Sequence, residues 1–218
     1  MSAVHLGMHK PSALETRRRL LLSLLASAGG GALPGLALAQ ETDTPPRITP
    51  FPPESGYLRP MTVHQINELG LEIWTEAEPA WETGLLAGTP PTFTAQSPEN
   101  YTPSAAITIS AWRNERVPPH LLEIVAATAM RRAGLNYGLN QGQARAMAVH
   151  PARWGILQGF ETDFRGRAQG MAMDVKVFVG QGEGKYPVVG QIYTQAGKMQ
   201  SLQEVIRRCW SNITYLQG

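Results

Sequence analysis

The sequence contains one cysteine, Cys209, among its 218 residues. A disulfide within the chain is therefore excluded, and so is a zinc site built on several thiolates. Charged residues make up only 17% of the chain and the formal net charge is +2, so the strong basic surplus typical of nucleic-acid-binding proteins is missing. Hydrophobic residues make up 43%, which is enough for a packed core and argues against a disordered chain.

The sequence also lacks an apolar run of the roughly 20 residues that a membrane-spanning helix needs. The segment most similar to such a run is short and lies near the N-terminus, where three arginines precede the leucine-rich residues 20–26. Small residues follow and end at Ala39, before Gln40. A basic segment, an apolar segment and a small-residue site, in this order, are typical of an export signal. We predict that residues 1–39 are removed by cleavage between Ala39 and Gln40, which leaves no permanent membrane anchor.

The arginines indicate two possible export routes. Arg17 and Arg18 precede leucines in a partial match to the twin-arginine motif, although Leu20 stands where an aromatic residue is usual. General secretory signals also contain paired arginines, so both routes stay open. Either route predicts a soluble protein in the bacterial periplasm.

Cleavage changes the charge balance of the chain. Residues 1–39 hold four basic groups and one acidic group, so their removal takes the net charge from +2 to −1. A nearly neutral mature chain does not favour nucleic acid as a partner. Met1 and Met8 both remain possible starts, because residues 1–7 add nothing to the signal.

The mature chain divides into a leader and one domain. Residues 40–61 are rich in proline, threonine and glutamate, a composition that favours extended conformations and predicts a flexible leader. Residues 62–218 are predicted to form a single α+β domain. Apolar patterning predicts early strands at residues 70–75, 80–83, 92–95 and 105–112.

One helix is predicted in the middle of the domain. Pro118 and Pro119 suit a first helical turn, an apolar stripe follows, and Gly134 is a plausible end. Residues 135–142 are rich in asparagine, glutamine and glycine, which favours a loop. Residues 146–149 are a candidate strand, and His150-Pro151 is a candidate turn.

The second half of the domain predicts a hairpin, a strand and a final helix. Residues 154–164 and 171–179 form the hairpin arms around Arg165-Gly166-Arg167, and residues 186–194 form the next strand. Ser201 and Glu204 have the spacing of a capping box at the start of the closing helix.

This order of elements resembles the PsbP-like α/β/α sandwich, including the small exported bacterial proteins of that type. The resemblance covers about residues 62–216. It is carried by the segments Gly70-Leu71-Glu72-Ile73 with Ala80-Trp81, Gly159-Phe160-Glu161-Thr162-Asp163-Phe164, Gly184-Lys185-Tyr186-Pro187-Val188-Val189 and Leu202 through Tyr215. It implies an antiparallel β-sheet flanked by helices, and an accessory or binding role in larger complexes. Residues 140–147 depart from the pattern, and a fold does not by itself fix a function.

Two charged pairs lie on the first hairpin arm. Glu161 and Asp163 are two residues apart, so both face the same side of a strand, and Arg165 and Arg167 continue that face. Paired carboxylates can perform acid–base chemistry, but a solvated face with cross-strand ion pairs is far more common. Arg165 and Arg167, at the expected hairpin tip, are the candidate binding residues for an anionic partner.

Other reactive side chains predict no further site. His64, His120 and His150 have no compact ligand spacing, so neither a metal site nor a cofactor is predicted. Cys209 lies on the apolar stripe of the last helix, where a buried and inert thiol is expected. The tryptophans Trp112, Trp154 and Trp210 are expected in the core or at its rim.

The sequence thus favours a non-enzymatic, exported accessory protein that binds another protein or complex. Two alternatives stay open. One is a periplasmic protein that binds a small ligand between the sheet and a helix. The other is a hydrolase whose residues converge only in the folded chain.

Overall fold

The structure, a computed structural model, describes residues 47–49, 60–168 and 170–217. Its strands are β1 Arg47–Thr49, β2 Met61–Ile66, β3 Leu71–Glu76, β4 Glu82–Leu86, β5 Thr92–Gln96, β6 Ala105–Ala111, β7 His150–Trp154, β8 Leu157–Ala168, β9 Met171–Gln181, β10 Val188–Gln195 and β11 Ile213–Tyr215. Its helices are α1 Leu122–Asn136, preceded by a 3₁₀ turn at Pro119–Leu121, α2 Gln141–Arg145, and α3 Met199–Val205, continued by a π-helical turn at Ile206–Trp210.

The strands form two antiparallel sheets. The larger has the order β4-β5-β6-β10-β9-β8-β7, and the smaller has the order β1-β2-β3-β11. A mixed α+β fold is therefore confirmed. The expectation of one sheet was incomplete, because β2, β3 and the C-terminal β11 pair with one another apart from the larger sheet.

Two hydrophobic clusters lie on opposite faces of the larger sheet. One joins α1 to residues of β9 and β10, including Met130, Val177 and Tyr193. The other joins the sheet to β2, β3 and the C-terminal helical segment, including Ile73, Ile107 and Trp210. Alternation along β9 explains the division, because Val175, Val177 and Val179 face α1 while Phe178 belongs to the second cluster.

The two sheets approach closely where a glycine is required. Gly155, between β7 and β8, has a φ of +57°, and a Cβ atom there would lie 2.2 Å from the carbonyl oxygen of Ile213 in β11. The adjacent Ile156 N–H donates to that same oxygen at 3.2 Å. A side chain at position 155 would therefore be strained and would push β11 away.

The larger sheet has a flat aromatic contact beside another glycine. Trp154 stacks on Phe178 with ring centroids 4.6 Å apart and an interplanar angle of 6°. The Trp154 ring also covers Gly190 of β10, where a Cβ atom would lie 2.4 Å from the indole. The missing side chain at position 190 is what lets the indole lie flat on the sheet.

Several sequence-based boundaries were wrong in the middle of the chain. Helix α1 does not end at Gly134 but continues to Asn136, and Gly138, with a φ of +79°, follows it. Residues 141–145 form α2 rather than a loop, because Asn140 and Gln143 make a reciprocal capping box. The strand expected at 146–149 begins instead at His150, so His150-Pro151 is an edge strand and not a turn.

The final helix also begins differently from the prediction. It starts at Met199, and the Ser201 hydroxyl donates to the Lys198 carbonyl at 2.7 Å instead of capping the helix. The leader expected at residues 40–61 contains β1, which pairs with β2, in the part that the structure describes. Strand β2 itself was not predicted.

Candidate functional site

Five charged side chains from β8 and β9 come together on one face of the larger sheet. We call this group the charged cluster, and its members are Glu161, Asp163, Arg165, Asp174 and Lys176. The strand register places Asp163 opposite Lys176 and Arg165 opposite Asp174. Paired residues of antiparallel strands project to the same side, so opposite charges meet across the hairpin. The cross-strand ion pairs expected from the sequence are confirmed.

Lys176 is the centre of the charged cluster. Its Nζ donates to Glu161 Oε1 at 3.0 Å and to Asp163 Oδ2 at 2.9 Å. The lysine side chain is only 3% exposed, whereas Glu161 and Asp163 are 28% and 50% exposed. The ammonium group is thus held at the border of the core by two carboxylates that reach solvent.

Glu161 also connects the charged cluster to the aromatic contact on the sheet. The indole Nε1–H of Trp154 donates to Glu161 Oε2 at 3.2 Å. Each carboxylate oxygen of Glu161 therefore accepts from a different buried donor. This arrangement holds the carboxylate in place, and both of its oxygens accept hydrogen bonds from the protein itself.

The second ion pair of the charged cluster connects it to α3. Arg165 Nε donates to Asp174 Oδ1 at 3.1 Å, with an arginine side chain that is 63% exposed. Asp174 Oδ2 accepts from the backbone N–H of Met199, the first residue of α3, at 3.3 Å. Asp174 thereby satisfies a free amide at the helix start, while the guanidinium of Arg165 stays accessible.

The predicted turn at Arg165-Gly166-Arg167 was wrong. Both arginines lie inside β8, whose pairing with β9 continues to Ala168 and Met171. The alternating pattern continues through residue 168, and the glycine at 166 lies against Tyr137, where a Cβ atom would come within 2.7 Å. Gly166 is therefore explained by this close packing and not by a turn.

The outer end of the β8–β9 hairpin presents exposed side chains. We define this hairpin end as Arg165, Arg167, Met171 and Ala172, all of which are exposed. It is held in place from the other face, because the backbone N–H of Arg167 donates to the carbonyl of Tyr137 at 2.7 Å, just beyond α1. The two candidate arginines thus sit on a supported strand rather than on a loop.

The remaining reactive groups named from the sequence lie apart from the hairpin end. Cys209 is 1% exposed, and burial, followed by the nearby charge of Glu76, raises the pKa of its thiol. The expectation of a buried thiol is confirmed. Trp154 and Trp210 are buried as expected, and Trp112 packs partly buried at the rim of the α1 cluster.

The three histidines of the domain lie in three different elements of the fold. His64 lies in β2, where its Nε2 is 2.8 Å from the Thr75 hydroxyl and its ring is 5.5 Å from that of Phe93. Burial lowers the pKa of His64 from 6.5 to about 4. His120 and His150 are exposed, in the turn before α1 and in β7. Among the described residues, no group of three histidine, cysteine, aspartate or glutamate side chains is placed to hold a metal ion.

The glycine-rich turn after β9 borders an open depression. Tyr215 is one of the residues that line it. Its hydroxyl donates to the Tyr186 carbonyl at 2.8 Å and accepts from the Gly182 N–H at 3.0 Å. Burial is the main cause that raises the pKa of Tyr215 to about 12. The tyrosine hydroxyl therefore joins β11 to the loop as a neutral group.

The export residues Arg17, Arg18, Ala39 and Gln40 lie outside the described residues. Within the described part of the chain, no helix is long and apolar enough to span a membrane. Comparisons of the chain with protein-family models, with curated proteins and with solved structures find no match.

Proposed function

We propose that the protein is an exported accessory protein of the bacterial periplasm that binds another protein through the hairpin end, without catalysis. One observation carries this proposal. Arg165 and Arg167 lie two residues apart on one face of β8, exposed and held by Asp174 and by the chain at Tyr137. Two guanidinium groups that project from one supported strand suit an acidic segment of a partner, because arginine pairs with carboxylates through several donors.

The other charged groups support a binding role rather than acid–base chemistry. Glu161 and Asp163 both accept from Lys176, and Glu161 also accepts from Trp154. A general acid or base must be free to exchange a proton with a substrate, whereas both carboxylates here are paired with the Lys176 ammonium group. We infer that these carboxylates stabilise the sheet and that the neighbouring arginines make the contact. The PsbP-like sandwich is part of the same proposal, since α1 covers one face of the larger sheet and the C-terminal helical segment lies on the other.

A photoreactive amino acid at position 167 is expected to cross-link the partner in the source cells. The matched control is position 116, because Arg116 is another exposed arginine in the loop before α1. The expected result is one adduct of defined mass from position 167 and none of that mass from position 116. Combining Arg165→Glu with Arg167→Glu should weaken capture of the same partner about tenfold or more, since attraction to carboxylates becomes repulsion. Equal adducts from both positions, or capture unchanged by the double substitution, would refute the proposal for the hairpin end.

The export part of the proposal is tested by the mass of the chain isolated from its own cells. Cleavage after Ala39 predicts a protein that begins at Gln40. Replacing both Arg17 and Arg18 with lysine should block export if the twin-arginine route is used, and should leave it nearly unchanged on the general route. A mature mass that still includes residues 1–39 would contradict the periplasmic assignment.

A further inference from the structure

Helix α1 carries an apolar side chain on the face that points away from the sheet. Leu122, Ala126, Met130 and Ala133 are buried against the larger sheet. Ile124 lies on the opposite face and is 64% exposed, the largest exposure among the large hydrophobic residues of the described chain. One exposed apolar side chain is ordinary on a protein surface, so the significance of Ile124 depends on the helix face around it.

A depression lies directly beside Ile124. It is lined by Glu123, Ile124, Ala127, Thr128 and Arg131, all from α1. Two of these five residues, Ala127 and Thr128, have small side chains. The same helix face thus holds an apolar projection at Ile124 and, one turn further along, the small side chains of Ala127 and Thr128.

The charges at the two ends of this depression are opposite. Glu123 lies at its N-terminal end and Arg131 at its C-terminal end. They are eight residues apart, which is about 12 Å along the helix axis at 1.5 Å per residue. They are too far apart to pair within one helix. A second helix that runs antiparallel brings each glutamate to the arginine of the other copy, whereas a parallel helix brings like charges together.

We propose that two copies of this chain associate through α1, packed antiparallel about a two-fold axis near Ala127. In this arrangement Ile124 of each copy enters the depression at Ala127 and Thr128 of the other. Glu123 and Arg131 form two equivalent ion pairs across the axis. A two-fold contact of this kind is self-complementary, since one surface supplies both the projection and the depression. The partner is therefore a second copy of this chain, and the hairpin end on β8 and β9 is a separate surface.

Sedimentation of the purified chain over a range of concentrations tests the proposal. The expected result is a monomer–dimer equilibrium that Ile124→Asp shifts toward monomer by about tenfold or more in Kd, because the apolar contact is lost and a carboxylate is costly to desolvate. Ile156→Asp is the matched control, since Ile156 is 45% exposed and lies at the β7–β8 turn. It should leave the equilibrium unchanged.

The charge-reversal variants test the antiparallel arrangement. Glu123→Arg alone and Arg131→Glu alone should each weaken the dimer about tenfold, because both symmetric pairs become repulsive. The chain that carries both changes should recover the dimer, since the opposite charges meet again in exchanged positions. A chain that stays monomeric at all concentrations, a dimer indifferent to Ile124→Asp, or a double variant that is no better than the single variants would overturn the proposal.

Discussion

Replacing Glu161 with Gln and Asp163 with Asn together is expected to lower the free energy of unfolding by about 3 kcal/mol. Both substitutions keep the size of the side chain and remove its charge. The Lys176 side chain is only 3% exposed, and its buried ammonium group would then lose both of the carboxylates that accept from it. A buried charge without a partner is costly because the interior solvates it poorly. Urea denaturation at neutral pH measures the change.

Each single substitution should lower the free energy of unfolding by much less than half of the amount lost in the double variant. Either carboxylate alone still accepts from Lys176 at about 3 Å, so the ammonium group remains paired. Adding Lys176→Met to the double substitution should recover most of the loss, because the charge that needed a partner is gone and its apolar stem is retained. Additive single effects, or a triple variant that is no more stable than the double one, would show that Lys176 does not depend on these carboxylates.

The stability of the chain is expected to fall as the pH drops from about 7 to about 4, in part because of His64. The pKa of His64 is about 4 in the folded chain, whereas the ordinary value, which applies to the unfolded chain, is 6.5. As the pH falls, the unfolded chain therefore binds this proton before the folded chain does. The contribution of His64 to the free energy of unfolding is fully present above pH 6.5 and is lost as the pH falls toward 4. At about 1.4 kcal/mol per pH unit, this histidine accounts for a loss of about 2 kcal/mol at pH 5.

His64→Gln isolates this contribution from that of the carboxylates. Glutamine can keep a hydrogen bond to Thr75 but does not titrate, so the variant should lose about 2 kcal/mol less than the parent between pH 7.5 and pH 5. His120→Gln is the control, because His120 is an exposed histidine in the turn before α1. Denaturation midpoints at the two pH values give the comparison. A His64→Gln variant with the same pH dependence as the parent would contradict the buried, neutral state of His64.

The charged cluster shows how far strand periodicity can predict a site. Alternation alone placed Glu161, Asp163 and the two arginines on one side of β8, and the structure has them there. It could not identify Lys176 as buried, because a lysine on the polar face of a strand is normally solvated. That outcome depends on which residues β10 and β8 place beside it, namely Ile192 and Asp163. Register across three strands is a tertiary property.

The errors in element boundaries have local physical causes. A glycine at position 134 can end a helix, but in this chain it lies buried where α1 packs, and a Cβ atom there would come within 3.0 Å of Leu139 and 3.2 Å of Met147. Ser201 and Glu204 have capping-box spacing, yet the helix begins two residues earlier. There the Met199 amide finds its acceptor in Asp174, which is distant in sequence. A local sequence pattern does not set the start of a helix when a contact with a residue distant in sequence is more favourable.

The sequence by itself determined the class of the fold, the two faces of the long hairpin, the burial of Cys209 and the predicted export signal. These features depend on composition and on repeats of two or of 3.6 residues, which act between neighbours in the chain. The tertiary structure alone decided the division into two sheets, the pairing of Lys176 with two carboxylates, the removal of His64 from water and the exposed face of α1. Each of these depends on contacts between residues far apart in sequence, such as β11 against β3, and burial there sets which polar groups find partners.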